Sequence, residues 1–98
     1  MEIREFQQMI DRMYSERDRQ RGAPKTFLWF AEEVGELASA IAEGQDRKNL
    51  AGEFADVFAW LATLANVEGI DLEHAIAKFT GGCPGCGEMV CRCSEKMT

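Results

Sequence analysis

Residues 27–41 read F-L-W-F-A-E-E-V-G-E-L-A-S-A-I, and residues 50–61 read L-A-G-E-F-A-D-V-F-A-W-L. Each is an apolar, helix-like stretch with carboxylates set into it: Glu32, Glu33 and Glu36 in the first, Glu53 and Asp56 in the second. At about 100° per residue, Phe27, Phe30, Ala31, Val34, Leu37, Ala38 and Ile41 fill an arc of about 120°, a stripe suited to facing a core. Leu50, Phe54, Val57, Phe58, Leu61, Leu64 and Ala65 form the corresponding arc on the next helix. With Phe27 as zero, Glu33 and Glu36 fall at about 240° and 180°, with Trp29 between them. With Leu50 as zero, Glu53 and Asp56 fall at about 300° and 240°, with Trp60 between them. Each acidic pair is spaced i, i+3 and so shares one helix face. If the two helices are antiparallel neighbours, four carboxylates converge between them with an indole from each nearby.

Acids beside an apolar stripe are most often a solvated helix face, and tryptophans at such positions are often core or interface residues. Two features favour a site. The acid-x-x-acid pattern occurs twice with the same phase. No basic residue lies between Thr26 and Glu43, whereas a solvated face usually mixes signs. Removing charge from water is costly unless it is paired. A hard divalent cation satisfies several carboxylate oxygens together, and Mg²⁺ is the usual ion where a phosphate shares the metal.

E-E-V-G-E, a gap of sixteen residues and then E-F-A-D resembles the MazG-like nucleoside triphosphate pyrophosphohydrolases of the all-α nucleotide pyrophosphatase superfamily, whose pattern is E-E-x-x-E followed by E-x-x-D. The resemblance spans about Phe6 to Phe79, and I-D-L-E-H-A-I-A-K-F at 70–79 looks like that family's final helix. It implies a Mg²⁺-dependent enzyme that hydrolyses a nucleoside triphosphate, deoxy or non-canonical forms included, to monophosphate and pyrophosphate. It further implies that Glu33, Glu36, Glu53 and Asp56 hold the metal. Glu32 matches the first acid, near the metal or positioning the attacking water. A lysine at the end of the fourth helix, here Lys78, would reach the triphosphate.

Ninety-eight residues make one domain with a modest core, so a homo-oligomer, dimer or tetramer, is expected. A net charge of −6 argues against nucleic-acid backbones as partners, which need clustered positive charge. It does not argue against a nucleotide, because a bound metal reverses the local sign. The sequence shows no apolar run near about 18 residues and no signal-peptide pattern, so neither membrane insertion nor export is expected and the location reads as cytoplasmic.

The fold class expected is all-α: a four-helix MazG-like bundle, oligomeric, with residues 1–80 as the helical domain and 81–98 as a short cysteine-rich tail. The first helix runs from Glu2 to about Arg21, with Ile3, Phe6, Ile10 and Met13 inward and a polar half, S-E-R-D-R-Q-R, leaving the core. Gly22-Ala23-Pro24 breaks it. The second runs from Thr26, as N-cap, to Glu43, with Gly44 as a stop. The short loop 45–48 makes the flanking helices antiparallel. Asn49 caps a third helix running to Glu68 and stopped by Gly69. Asp71 caps a fourth ending near Phe79, with His74 on its surface.

The tail G-G-C-P-G-C-G-E-M-V-C-R-C-S holds Cys83, Cys86, Cys91 and Cys93, all the cysteines of the chain. C-P-G-C-G suits a zinc-knuckle turn, although C-R-C is tighter than in ordinary zinc ribbons. One structural, tetrahedral zinc is the favoured reading. An iron–sulfur cluster or free thiols are the alternatives, and disulfides are disfavoured without export.

Trp29 or Trp60 would stack on or wall the base. Lys25 precedes the second helix, whose N-terminus can attract an anion. The competing reading is a non-catalytic helical adaptor or nucleotide sensor with a zinc-stabilised interaction tail. An adaptor has no need of the doubled acidic motif.

Overall fold

A computed structural model describes residues 1–95. Helix α1 spans Ile3–Arg21, α2 Ala23–Glu43, α3 Arg47–Glu68 and α4 Leu72–Ala75, followed by a 3-10 turn at Ile76–Phe79. The described residues contain no strand, so the all-α expectation holds. The fourth helix is shorter than expected: one α turn passes into a 3-10 turn before Phe79.

Glycines end the long helices where the sequence places them. Gly44 and Gly69 both adopt the left-handed conformation and return their N–H groups to carbonyls of the last turn. The connection from Gly44 to Asp46 is short enough to fold α3 back along α2. Two caps differ from expectation. Thr26 lies inside α2, which starts at Ala23 with Pro24 in its first turn. Its hydroxyl is buried and donates back to the Gly22 carbonyl at 2.7 Å. Asp46, rather than Asn49, caps α3, accepting from the Asn49 N–H at 2.9 Å. An aspartate already stands at the non-helical position before the first turn, which is where a cap acts.

α3 is the central helix, packed on α2 along one side and α1 along the other. Phe6 of α1 stacks on Phe58 of α3, with centroids 5.1 Å apart. The buried Gln7 side chain ties three elements together. Its amide donates to the Asn66 Oδ1 and the Ile70 carbonyl, and its oxygen accepts from the Leu72 N–H. Arg4 then pairs with Asp71 and Glu73 at the start of α4.

The apolar stripes do not meet each other as the helical wheel suggests. Among the described residues only Ile10, Ala40, Ala62 and Ala65 are buried apolar side chains, whereas Phe27, Val34, Ile41, Phe54, Phe58 and Leu61 are exposed, with Phe27 and Ile41 each at 56%. Met13, expected inward, is exposed as well. α2 and α3 meet through the sides that carry Trp29, Glu33, Glu53, Asp56 and Trp60, and much of each stripe stays exposed, although Phe58 stacks on Phe6 and Ala65 is buried. The polar half of α1 leaves the core only in part: Glu16, Arg17, Arg19 and Gln20 are exposed, but Asp18 is buried. An apolar run is also present that a residue-by-residue reading misses: α3 is, by length and composition, long and apolar enough to cross a bilayer. Glu53 and Asp56 nevertheless interrupt that helix.

Candidate active site and metal centre

The antiparallel pairing of α2 and α3 brings Glu33, Glu53 and Asp56 together, with one carboxylate oxygen from each inside a 4.8 Å cluster. The i, i+3 spacing on α3 presents Glu53 and Asp56 on one face toward α2. Glu33 and Glu53 each bury their Oε2 with no hydrogen-bond partner. Buried oxygens normally find a donor, so two orphans in one cluster call for an external positive group. Burial holds the Glu33 carboxyl above its ordinary value, and the neighbouring Glu36, Asp56 and Glu53 push it further in the same direction. Glu36 thus adjoins Glu33, one turn along α2. Glu32 is exposed and stands outside the three-acid cluster.

The two indoles meet across the same interface. Trp29 and Trp60 pack edge to face with centroids 5.7 Å apart and planes at 85°, a favoured aromatic geometry. Both receive the Arg21 guanidinium, which sits 4.8 Å from the Trp29 ring centroid and 5.1 Å from that of Trp60. The Lys25 Nζ lies 5.3 Å from the Trp29 centroid. Lys78 sits on the 3-10 turn, 5.2 Å from the Phe79 ring.

A cleft of about 340 Å³ opens beside this cluster, lined by residues from α1, α2 and α3. Asp56, Trp29 and Trp60 form one end, while Tyr14, Arg17, Asp18 and Arg21 form the α1 wall. Arg21 is held by Asp18, with which it forms an ion pair, and by a 2.9 Å hydrogen bond from its Nε to the Thr26 hydroxyl. The α1 wall was missed in the sequence because its run of alternating charges resembles a solvated face. A signal was present: Tyr14, Arg17, Asp18 and Arg21 recur at i, i+3, i+4 and i+7, the spacing of one helix face.

The family profile for the MazG nucleotide pyrophosphohydrolase domain matches residues 22–84, well over half of the chain. The chain belongs to the MazG family. The matched segment starts at the α1–α2 break and holds every motif acid, both tryptophans and Lys78, and it ends just after Cys83. A search of curated proteins found no match. Membership points to nucleotide pyrophosphohydrolysis in general, in a family that typically uses a divalent metal. The all-oxygen donor set and the two unpartnered buried oxygens fit such an ion.

The second cluster is in the tail, where the sulfurs of Cys83, Cys86, Cys91 and Cys93 also lie within 4.8 Å of one another. All four are free cysteines.

Proposed function

We propose that this chain is a Mg²⁺-dependent hydrolase that cuts a nucleoside triphosphate into nucleoside monophosphate and pyrophosphate. The observation that carries the reading is the pair of unpartnered oxygens on Glu33 and Glu53, facing each other across α2 and α3 with Asp56 beside them. Glu33, Glu36, Glu53 and Asp56 would hold the metal. When bound, the ion supplies charge neutralisation at the phosphates and activation of water.

The chain's own residues do the rest. Trp29 and Trp60 wall the base, in a cleft that opens directly from Asp56, so that a base seated there leaves its phosphates at the acidic end. Arg21, pinned by Asp18 and Thr26, holds both rings from the α1 wall of the cleft. Glu32 is assigned to orienting the attacking water for in-line displacement. Lys25, over Trp29, and Lys78 are assigned to the triphosphate. The protein's contribution is positioning and electrostatics rather than covalent chemistry.

The working form is a homo-oligomer. A compact monomer of 11.0 kDa exposes about 5,600 Å², whereas this chain exposes 7194 Å². The surplus, on the order of 1,600 Å² per chain, matches an obligate subunit interface. The outward faces of α2 and α3, with Phe27, Val34, Ile41, Phe54 and Leu61, supply the apolar surface that a second copy would cover. This reading also takes α3 as a bundle helix rather than a membrane span, since Glu53 and Asp56 face α2.

The test is incubation of the purified protein with a panel of canonical and damaged nucleoside triphosphates plus Mg²⁺, followed by measurement of pyrophosphate release. Release from at least one substrate, abolished by chelation, is expected. Inactivity across the panel together with nucleotide binding would favour the sensor reading.

A further inference from the structure

The C-terminal tail folds with almost nothing to hold it. Residues 80–95 contain no helix or strand, and their large apolar side chains face solvent, with Met89 at 80% and Val90 at 83% exposure. Its backbone is nevertheless specific. The Cys83 N–H donates to the Glu88 carbonyl at 2.8 Å, and the Gly87 N–H donates to the Cys83 carbonyl at 2.6 Å. Gly82 adopts φ +112°, and a Cβ there would stand 2.8 Å from the Gly87 carbonyl oxygen. A turn this tight, with no apolar core beneath it, needs another source of order, because fixing each residue's backbone costs conformational entropy.

The sulfurs point to that source. Cys83 Sγ lies 3.6 Å from Cys91 Sγ and 3.8 Å from Cys93 Sγ. A tetrahedral ion with metal–sulfur bonds of about 2.3 Å holds its sulfurs about 3.8 Å apart. Backbone amides also converge on the sulfurs: the Arg92 N–H donates to Cys86 Sγ at 3.4 Å, and the Cys93 N–H to Cys91 Sγ at 3.3 Å. Such donors favour thiolates over thiols, as metal ligation requires.

We propose that Cys83, Cys86, Cys91 and Cys93 bind one Zn²⁺ in a closed tetrathiolate site that folds the tail. Loading releases the thiol protons to solvent and supplies the folding energy the apolar residues do not. Four protein sulfurs leave no coordination position for water or substrate, so the ion is structural. It shares no ligand with the acidic centre, whose carboxylates come from α2 and α3.

Metal analysis of the full-length protein, purified without added metal, tests this directly. One zinc per chain is expected. Replacement by Co²⁺ should give the intense visible absorption of a tetrahedral thiolate complex, and Cys93→Ser should weaken zinc retention at least tenfold in competition with a chromogenic chelator. In Cys93→Ser with Mg²⁺ present, pyrophosphate release should persist, because no tail residue belongs to the acidic site. If the variant does not fold, the wild-type stoichiometry and Co²⁺ spectrum still decide the matter. A zinc-free protein with four titratable thiols, a protein with two disulfides, or one carrying iron at this site would each overturn the proposal.

Discussion

Glu33 of α2 and Glu53 of α3 stand with carboxylate oxygens inside one 4.8 Å cluster, and each buries an Oε2 that no donor reaches. Without a cation that arrangement destabilises the fold: like charges are held together, partly out of water. With a cation the same geometry becomes a binding site. On the proposed function, the acidic centre is a place where local stability is given up for ion binding.

That tension gives a pH-dependent prediction. The Glu33 carboxyl is raised by burial and by its acidic neighbours. A raised carboxyl favours the folded state while it is protonated, and this contribution is lost as pH rises through the folded value. Glu33→Gln should therefore raise the melting temperature of the metal-free protein at pH 8. The gain should shrink on acidification and vanish below the ordinary value of 4.5, where the wild-type residue is protonated in both states. Thermal melts of both proteins in chelator across that range check it. A gain independent of pH would mean that Glu33 carries no charge strain.

The buried ion pair on α1 makes a second prediction. Side-chain exposure is 5% for Asp18 and 11% for Arg21. Removing one partner of such a pair strands a buried charge and costs about 3–5 kcal/mol. Arg21→Met should therefore lower stability by about that much in urea denaturation, and adding Asp18→Asn should recover a large part of it. If Arg21→Met alone is tolerated, Asp18 is not held as described.

The contrast between these two sites shows what the sequence makes legible. The motif acids are readable because they repeat with the same phase on two helices, and the short turn at Gly44 forces those helices to be neighbours. Gly69 and the Asp71 cap are readable for a similar local reason. Asp18 and Arg21 are not, because their i, i+3 ion pair looks like any solvated helix pair, and only the tertiary packing of Arg21 against Trp29 and Trp60 shows that it lies in the interior. The apolar stripes mislead for a related reason. Periodicity identifies Phe27, Val34, Phe54 and Leu61 as a face seeking cover, but it does not say whether the cover comes from the same chain. Thr26 and Asn49 fail as caps because neighbouring residues, Pro24 and Asp46, start the helices earlier.

The outward stripes predict concentration-dependent assembly. Light scattering behind size exclusion should give a mass of at least two chains, and Phe54→Glu should shift the protein toward monomer. A wild-type chain that runs as a monomer at micromolar concentration would remove the interface from the account.

Trp60→Ala addresses the base wall. Stacking of a base on an aromatic ring contributes about 1–3 kcal/mol, so the Michaelis constant should rise about 5- to 150-fold while kcat changes less. Nucleotide binding in Ca²⁺ should alter tryptophan fluorescence in the wild type. Unchanged kinetics in both Trp29→Ala and Trp60→Ala, with the fold intact by circular dichroism, would return the indoles to a packing role.

The most direct test of the carboxylate centre is phosphorus NMR of a substrate triphosphate incubated with Mg²⁺ and either wild-type protein or Glu53→Gln. The amide keeps the shape of the side chain and removes the charge that would hold the ion. The wild type should produce monophosphate and pyrophosphate in equal amounts, and Glu53→Gln should produce neither at a measurable rate while keeping its helical content. Near-normal turnover by Glu53→Gln, or release of orthophosphate and diphosphate nucleotide by the wild type, would contradict the four-carboxylate site.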